Sequence, residues 1–258
     1  MFRPKAVLLA CLFILIVYFL FDVQSYAQTT EGTNPAQNKF QISLGGGWGL
    51  YSMGDINKHY IDEFAKEVDI FDDHIDNGAT LFGEVGYFAS PYYSVNLGVS
   101  YLHTGITGKT TGLITDEQGN VVGSYPTKHS LSAFLVAPEL KIKYHFPNEK
   151  LDWFLSGGTA WCFGKSVLKV ESNLPQGIFL EKYRFTAQGL GFLASIGLLY
   201  NLNKTVSFGT EIGDRLFVTG DLKDKNGKVW VVDATGKPHK MNLNFSGPFI
   251  LGSLSIRL

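Results

Sequence analysis

The side chains best suited to chemistry in this chain are charged residues spaced two apart on otherwise apolar stretches. Glu139, Lys141 and Lys143 alternate with Leu140, Ile142 and Tyr144, and Glu84, Glu211, Arg215 and Arg257 stand in similar settings. In a strand, residues two apart share one face. Carboxylates and ammonium groups gathered on one face can pair as salt bridges or line an ion path. The pairing that follows sets Glu84, Glu139 or Glu211 against Lys141, Arg215 or Arg257, as a plug inside a closed sheet. A gated ion path through the same charges is the competing reading.

Other groups have side chains suited to catalysis or metal binding. Ser100 and His103 with a glutamate would suit lipid hydrolysis. They are three apart, so a strand turns them to opposite sides. No G-x-S-x-G elbow is present. Asp69, Asp72, Asp73 and Asp76 form a carboxylate cluster of the kind hard cations take. They lack the glycine register of a calcium loop and read as the solvated face of a helix. Cys162, between Trp161 and Phe163, reads as a small packing residue. Cys11 is the other cysteine and falls in the apolar run near the N-terminus that is read below as a signal peptide, so no disulfide framework is predicted. Nor is there a cysteine–histidine pattern with zinc spacing. No catalytic residue, cofactor site or metal site is assigned.

Alternation is the pattern that positions these groups. Phe40, Ile42, Leu44, Trp48 and Leu50 oppose Gln41, Ser43, Gly45, Gly47 and Gly49. Tyr93 to Tyr101, Phe134 to Tyr144 and Leu190 to Tyr200 alternate in the same way. Less regular stretches run over Thr80–Phe88, Trp153–Phe163, Thr205–Arg215 and Leu243–Leu258. The connections alternate long and short. Long ones follow Tyr51, Ile106, Val167 and Val218. Short ones fall at Ser90-Pro91-Tyr92, Pro147-Asn148-Glu149-Lys150 and Asn201-Leu202-Asn203-Lys204. This predicts an all-β fold, an eight-stranded antiparallel up-and-down transmembrane barrel, with short periplasmic turns and long external loops.

The second face is mostly Gly, Ser, Asn and Thr, which suits the crowded interior of a small barrel. The apolar face then meets lipid. Aromatic residues mark both ends of it. Tyr87, Tyr93, Tyr144, Trp153 and Tyr200 lie by the short turns, and Trp48, Tyr51, Tyr101 and Trp161 toward the long loops. Amphipathic rings favour the membrane–water boundary. Trp153 to Phe163, at ~3.3 Å per residue and a tilt near ~40°, projects to roughly 25 Å, the height of a lipid-facing band. Pro138 and Pro248 interrupt the fourth and eighth strands, where bulges or altered boundaries are expected.

The ends of the chain supply location. Arg3 and Lys5 precede an apolar run from Ala6 to Phe21, and Ser25-Tyr26-Ala27 follows it. This is the pattern of a cleaved secretory signal peptide over residues 1–27. A lipoprotein reading of Leu8-Leu9-Ala10-Cys11 fails because the apolar run continues past Cys11. Residues 28–38 are a polar leader, and 39–258 form the barrel domain. Net charge is −1 and mean hydropathy +0.06. That excludes a bundle of membrane helices, and no basic stripe points to nucleic acid.

Within the first long loop, Ile61, Phe64, Val68, Phe71 and Ile75 recur at helical spacing, with Asn57 as a cap. The opposite face carries Asp62, Glu63, Glu67, Asp69, Asp72, Asp73 and Asp76. Thr110–Thr115 with Val121–Tyr125, and Asn226-Gly227 before Val229–Val232, predict hairpins beyond the membrane.

Phe40 to Leu258 resembles the small bacterial outer-membrane barrels that include the OmpA transmembrane domain and OmpW-type proteins. The terminal alternation of Leu254, Ile256 and Leu258 is similar to the signal those proteins present to the barrel-insertion machinery, although that signal usually ends in Phe. The resemblance implies location in the bacterial outer membrane, with membrane lipids and lipopolysaccharide as neighbours. It implies a structural or surface-binding role without catalysis. The alternatives are an OmpW-like small-solute or ion channel and, more remotely, a lipid-modifying enzyme.

Overall fold

The computed structural model describes residues 39–258, apart from 66–69, 72, 116, 149, 175, 234 and 235. The signal peptide and leader expected over 1–38 lie outside the described residues. Eight antiparallel strands close into a barrel: β1 (Phe40–Leu50), β2 (Asn77–Ser90), β3 (Tyr93–Thr115), β4 (Val121–Phe146), β5 (Leu151–Leu174), β6 (Gly177–Asn201), β7 (Val206–Thr219) and β10 (Gly247–Arg257). Helix α1 (Ile56–Ala65) follows β1. A two-stranded hairpin, β8 (Val231–Val232) with β9 (His239–Lys240), fills the last long connection.

Neighbouring strands are sequential, as an up-and-down chain requires. The last joins the first through pairs running from Gln41↔Arg257 to Gly49↔Phe249. Phe40 and Leu258 exchange backbone hydrogen bonds at the lower end of this seam. Leu254 and Ile256 lie opposite Leu44 and Ile42 on the outer face, and Leu258 is exposed beyond them.

The outer surface carries the large apolar side chains. Leu44, Leu97, Leu140, Leu190 and Ile250 are all exposed. Trp48, Tyr87, Tyr101, Trp153, Trp161 and Tyr200 lie outward at the two ends of this surface. Tyr93 and Tyr144 pack edge-on at 5.0 Å and cover each other in part. Tyr51 does not belong to the outer girdle. Leu50 faces out, so the next residue faces in, and Tyr51 is 3 % exposed. Its hydroxyl reaches Thr80 Oγ1 at 3.1 Å inside the barrel.

Inside, small residues make room for inward rings. Gly197 lies directly opposite Phe154, and a Cβ on Gly197 would sit 2.0 Å from Cζ of that ring. Gly45 and Gly191 stand in the same relation to Phe82 and Phe217.

The wall is uneven. β3 to β6 are 23 to 26 residues long, whereas β1 and β10 have 11. At ~3.3 Å per residue, β5 is roughly 80 Å of strand, far more than the ~25 Å lipid band needs. The second loop is therefore a continued hairpin, as its sequence predicts. The third long connection is also strand, running to Leu174 and resuming at Gly177. At the fourth, Gly227 takes φ 80°, and Asp224 Oδ1 accepts the N–H groups of Asn226 and Lys228. Glycine reaches that φ without the Cβ penalty other residues carry.

Neither proline makes a bulge. Pairing of β4 with β5 lapses at Ala137 and Pro138 and resumes in the same register, Val136↔Phe163 and Glu139↔Ala160. Pro138 points outward, where its missing donor leaves one gap in the ladder. Pro248 stands at the start of β10, opposite Asp214 and before pairing with β1 begins. The eighth barrel strand thus starts at Gly247 rather than at Leu243.

The close approach at Gly197 makes a prediction. Gly197→Ala forces the Phe154 ring to move and should destabilise the barrel by about 1–3 kcal/mol, the usual cost of overpacking. Gly157→Ala, where a Cβ meets nothing within 4 Å, should be neutral. The urea midpoint for loss of the compact, unboiled electrophoretic band measures both.

Candidate functional site

Strand alternation brings the inward charges of β2 and β4 together at mid-barrel. Lys141 Nζ lies 2.8 Å from Glu84 Oε2 and 3.1 Å from Glu139 Oε2. Lys143 donates to the other oxygen of Glu84. All four side chains are buried. Phe82 and Phe154 wall the group, with Lys141 Nζ 5.7 Å and Lys143 Nζ 4.8 Å from their ring centroids. Removing a charge from water costs several kcal/mol, so buried ions persist only when well paired. Here two ammonium groups meet two carboxylates, and the cluster is neutral.

Two predicted partners are placed differently. Glu211 accepts a 2.6 Å hydrogen bond from Ser195 Oγ and forms no ion pair within 4 Å among the described residues. Arg215 likewise pairs with no carboxylate among the described residues. Its guanidinium sits 4.5 Å from the Phe249 ring, 5.7 Å from Tyr51 and 5.9 Å from Phe217, and donates to Thr80 at 3.3 Å. Cation–π attraction replaces an ion pair there.

A second polar group closes the periplasmic end. Arg257 Nη2 lies 2.9 Å from Asp152 Oδ2, and His145 Nδ1 is 3.3 Å from the same oxygen. His145 Nε2 lies 2.9 Å from Ser94 Oγ, which also accepts from Asn96. Sequence reasoning missed Asp152 altogether. Its signal was available, because Asp152 alternates inward with Phe154 while Trp153 faces out. Ser94, His145 and Asp152 are connected in the order of a hydrolytic triad. Ser94 is 1 % exposed, however, and is hemmed in by Asn96 and His145. Ser100 and His103 are kept apart. Ser100 is buried inside, and His103 faces outward, stacked at 4.7 Å on Phe134.

The external mouth is covered by apolar residues from the first and last loops. Met53, Ile56, Ile61, Leu222, Met241, Leu243 and Phe245 form one buried cluster with Leu102, Leu131 and Leu135 of the wall. α1 is wound wide, as a π-helix, and buries Ile56, Tyr60, Ile61 and Ala65. Residues four and five apart align on such a helix, where hydrogen bonds run i to i+5. The helix predicted from Ile61 onward therefore begins and ends earlier. Ile70, Phe71 and Ile75 are buried in the returning segment. Asn57 is not a cap. Its side-chain amide bonds both the N–H and the carbonyl of Ile75, at 2.9 and 2.8 Å, and so clamps that segment. Glu67, Val68, Asp69 and Asp72 lie outside the described residues. Asp73 accepts from the His74 N–H, and Asp62 bonds the His74 ring.

Between this cover and the inner face of the β5–β6 hairpin lies a cleft of about 310 Å³. Tyr60, Leu168, Tyr183, Phe185 and Trp230 line it, with Asp233 at its edge. Phe185 and Trp230 stack at 4.5 Å, and Tyr60 meets Trp230 edge-on at 5.4 Å. Burial pushes the Tyr60 phenol up to about 12. It therefore stays a neutral donor in this cleft at any physiological pH.

A closed barrel with an apolar outside, aromatic ends and a filled lumen defines an integral outer-membrane β-barrel. Residues 13–246 match the family described as the outer membrane protein beta-barrel domain, and the chain belongs to that family. Among solved structures it is similar to the outer membrane protein OprG of Pseudomonas aeruginosa, at 9% identity and TM-score 0.41, covering 85% of this chain and 96% of that one. It is also similar to Neisserial surface protein A, at 12% and 0.40, covering 85% and 97%. A third is the outer membrane protease OmpT of Escherichia coli, at 10% and 0.35, covering 88% and 98%. No curated protein matches the chain.

Lys141 bridges two carboxylates, so its loss is felt twice. Lys141→Met should destabilise the barrel by about 3–5 kcal/mol, because it leaves uncompensated buried charge. Glu84→Gln should cost a similar amount, and the double variant less than the sum of the two. Urea titration of the refolded protein reads all three.

Proposed function

We propose that the protein is a structural outer-membrane barrel that neither conducts nor catalyses and that offers a binding surface at its outer mouth. The observation that carries this is the filling of the lumen at three levels. Arg257, Asp152 and His145 close the periplasmic end, the Lys141 cluster fills the middle, and the Leu243–Phe245 cover seals the top. Its neighbours in this reading are membrane lipids and, at the outer girdle, lipopolysaccharide. Leu254, Ile256 and Leu258 would be recognised by the insertion machinery during assembly. The aromatic cleft is where an extracellular ligand with a flat apolar face would bind, with Asp233 to take a hydroxyl or cationic group.

A small-solute or ion channel is the second reading, and Arg215 favours it. This buried cation has an Nε without a hydrogen-bond partner, and so supplies positive potential inside the lumen.

Planar-bilayer recording of the purified, refolded protein separates the two. The structural reading expects silence, with Arg215→Ala equally silent. Discrete steps that change with Arg215→Ala would establish the channel and overturn the first reading. A fluorophosphonate probe checks catalysis, and no labelling of Ser94 is expected in the folded barrel.

A further inference from the structure

Three side chains with metal-ligand chemistry meet at the outer mouth, apart from the charges of the lumen. His59 and Glu63 lie four residues apart on α1, and His239 opens β9 in the fourth loop. The two imidazole rings stack with centroids 3.7 Å apart and planes 9° from parallel. Glu63 Oε2 is 2.9 Å from His59 Nδ1. One ligand atom from each of the three residues falls within 4.8 Å of the other two. His59 is buried, and the other two are half-buried.

A neutral imidazole offers a metal a ring nitrogen with a free lone pair. An ionised carboxylate beside two imidazoles is the donor set that borderline divalent cations such as zinc take, usually with water in the remaining place. Calcium and magnesium prefer all-oxygen sites. Asp62, the nearest other acid on α1, is engaged with His74 at 2.7 Å.

Ligands at ~2.1 Å from a tetrahedral metal stand roughly 3.4 Å from one another. Here Glu63 Oε2 and His59 Nδ1, at 2.9 Å, are already closer than that, and all three ligand atoms lie within 4.8 Å of one another. Lone pairs lie in the ring planes, so binding must unstack the imidazoles and turn both edges toward one point.

We propose that His59, Glu63 and His239 form a site for a borderline divalent cation that ties the first external loop to the fourth. Its occupancy would close the α1 side of the cover against the β8–β9 hairpin. The site does not depend on whether the lumen conducts.

The test is calorimetric titration of the refolded, chelator-treated full chain with zinc chloride in detergent. One zinc per chain is expected. His59→Ala and His239→Ala, on separate loops, should each weaken binding by about ten-fold or more. Both should keep the heat-modifiable electrophoretic shift, since neither residue is in the barrel wall. Calcium chloride should give no comparable heat. Acidification should weaken zinc binding, because ligating imidazoles must be neutral. Hydrogen exchange provides a second readout, in which zinc should protect residues 56–65 and 239–241 of the unsubstituted chain only. The proposal is overturned if no zinc binds, if both variants bind as tightly as the unsubstituted chain, or if calcium binds equally well.

Discussion

In hydrocarbon an unpaired backbone N–H or carbonyl costs several kcal/mol, and no water is present to satisfy it. Everything else in this molecule follows from meeting that demand. β1 and β10, 200 or more residues apart in the chain at every paired position, must find each other edge to edge, and they do so from Gln41↔Arg257 to Gly49↔Phe249. Closure with eight strands leaves an interior only wide enough for side chains. The glycines at 45, 191 and 197 follow from that width, because each makes room for an inward phenyl ring on the neighbouring strand.

The same closure decides how charge is handled. Between the girdles, a charge on the outer face would meet lipid at about 2–4 kcal/mol near the midplane, so alternation turns Glu84, Glu139, Lys141 and Lys143 inward. Inside they lose water as well, and only mutual pairing offsets that loss. Lys141 sits between two carboxylates for this reason, and Arg257 meets Asp152. Arg215 is held instead by three aromatic faces. Attraction to those rings is worth only about 0.5–2 kcal/mol. It is the least compensated cation of the interior among the described residues, and it lies directly beneath the apolar cover.

Alternation made the strands, their order and the inward face of each charge legible from sequence, since all depend only on period two. The partners were less legible. Arg257 and Asp152 are 105 positions apart, and Ser94 and His145 are 51 apart. Whether two such residues meet depends on strand tilt and stagger, which no local pattern encodes. Tyr51 misled because an aromatic at a strand end looks like a girdle residue. Its parity with Leu50 carried the correct answer. Helix α1 misled for a different reason. A three-and-four spacing over Ile61–Ile75 looks like an ordinary helix, but Ile70, Phe71 and Ile75 belong to a returning segment clamped by Asn57. Tertiary packing of the returning segment outweighs local period there.

The uneven wall accounts for the mouth. β3 to β6 stand well above the membrane, and β1, β2, β7 and β10 stop short. Loops one and four spring from the low side and face the inner surface of the high side. That surface presents Leu102, Leu131, Leu135 and Phe185, which would otherwise be wetted. Met53, Ile56, Leu243 and Phe245 cover it, and at about 25 cal/mol per Å² of apolar surface this burial is a strong reason for both loops to fold across the opening. Cover and wall come from different segments, and they do not meet everywhere. Where α1 and the β8–β9 hairpin approach the β5–β6 extension, the fit leaves the aromatic cleft. Where α1 and that hairpin approach each other, it leaves His59 against His239. Both features therefore mark places where separate segments of the mouth come together.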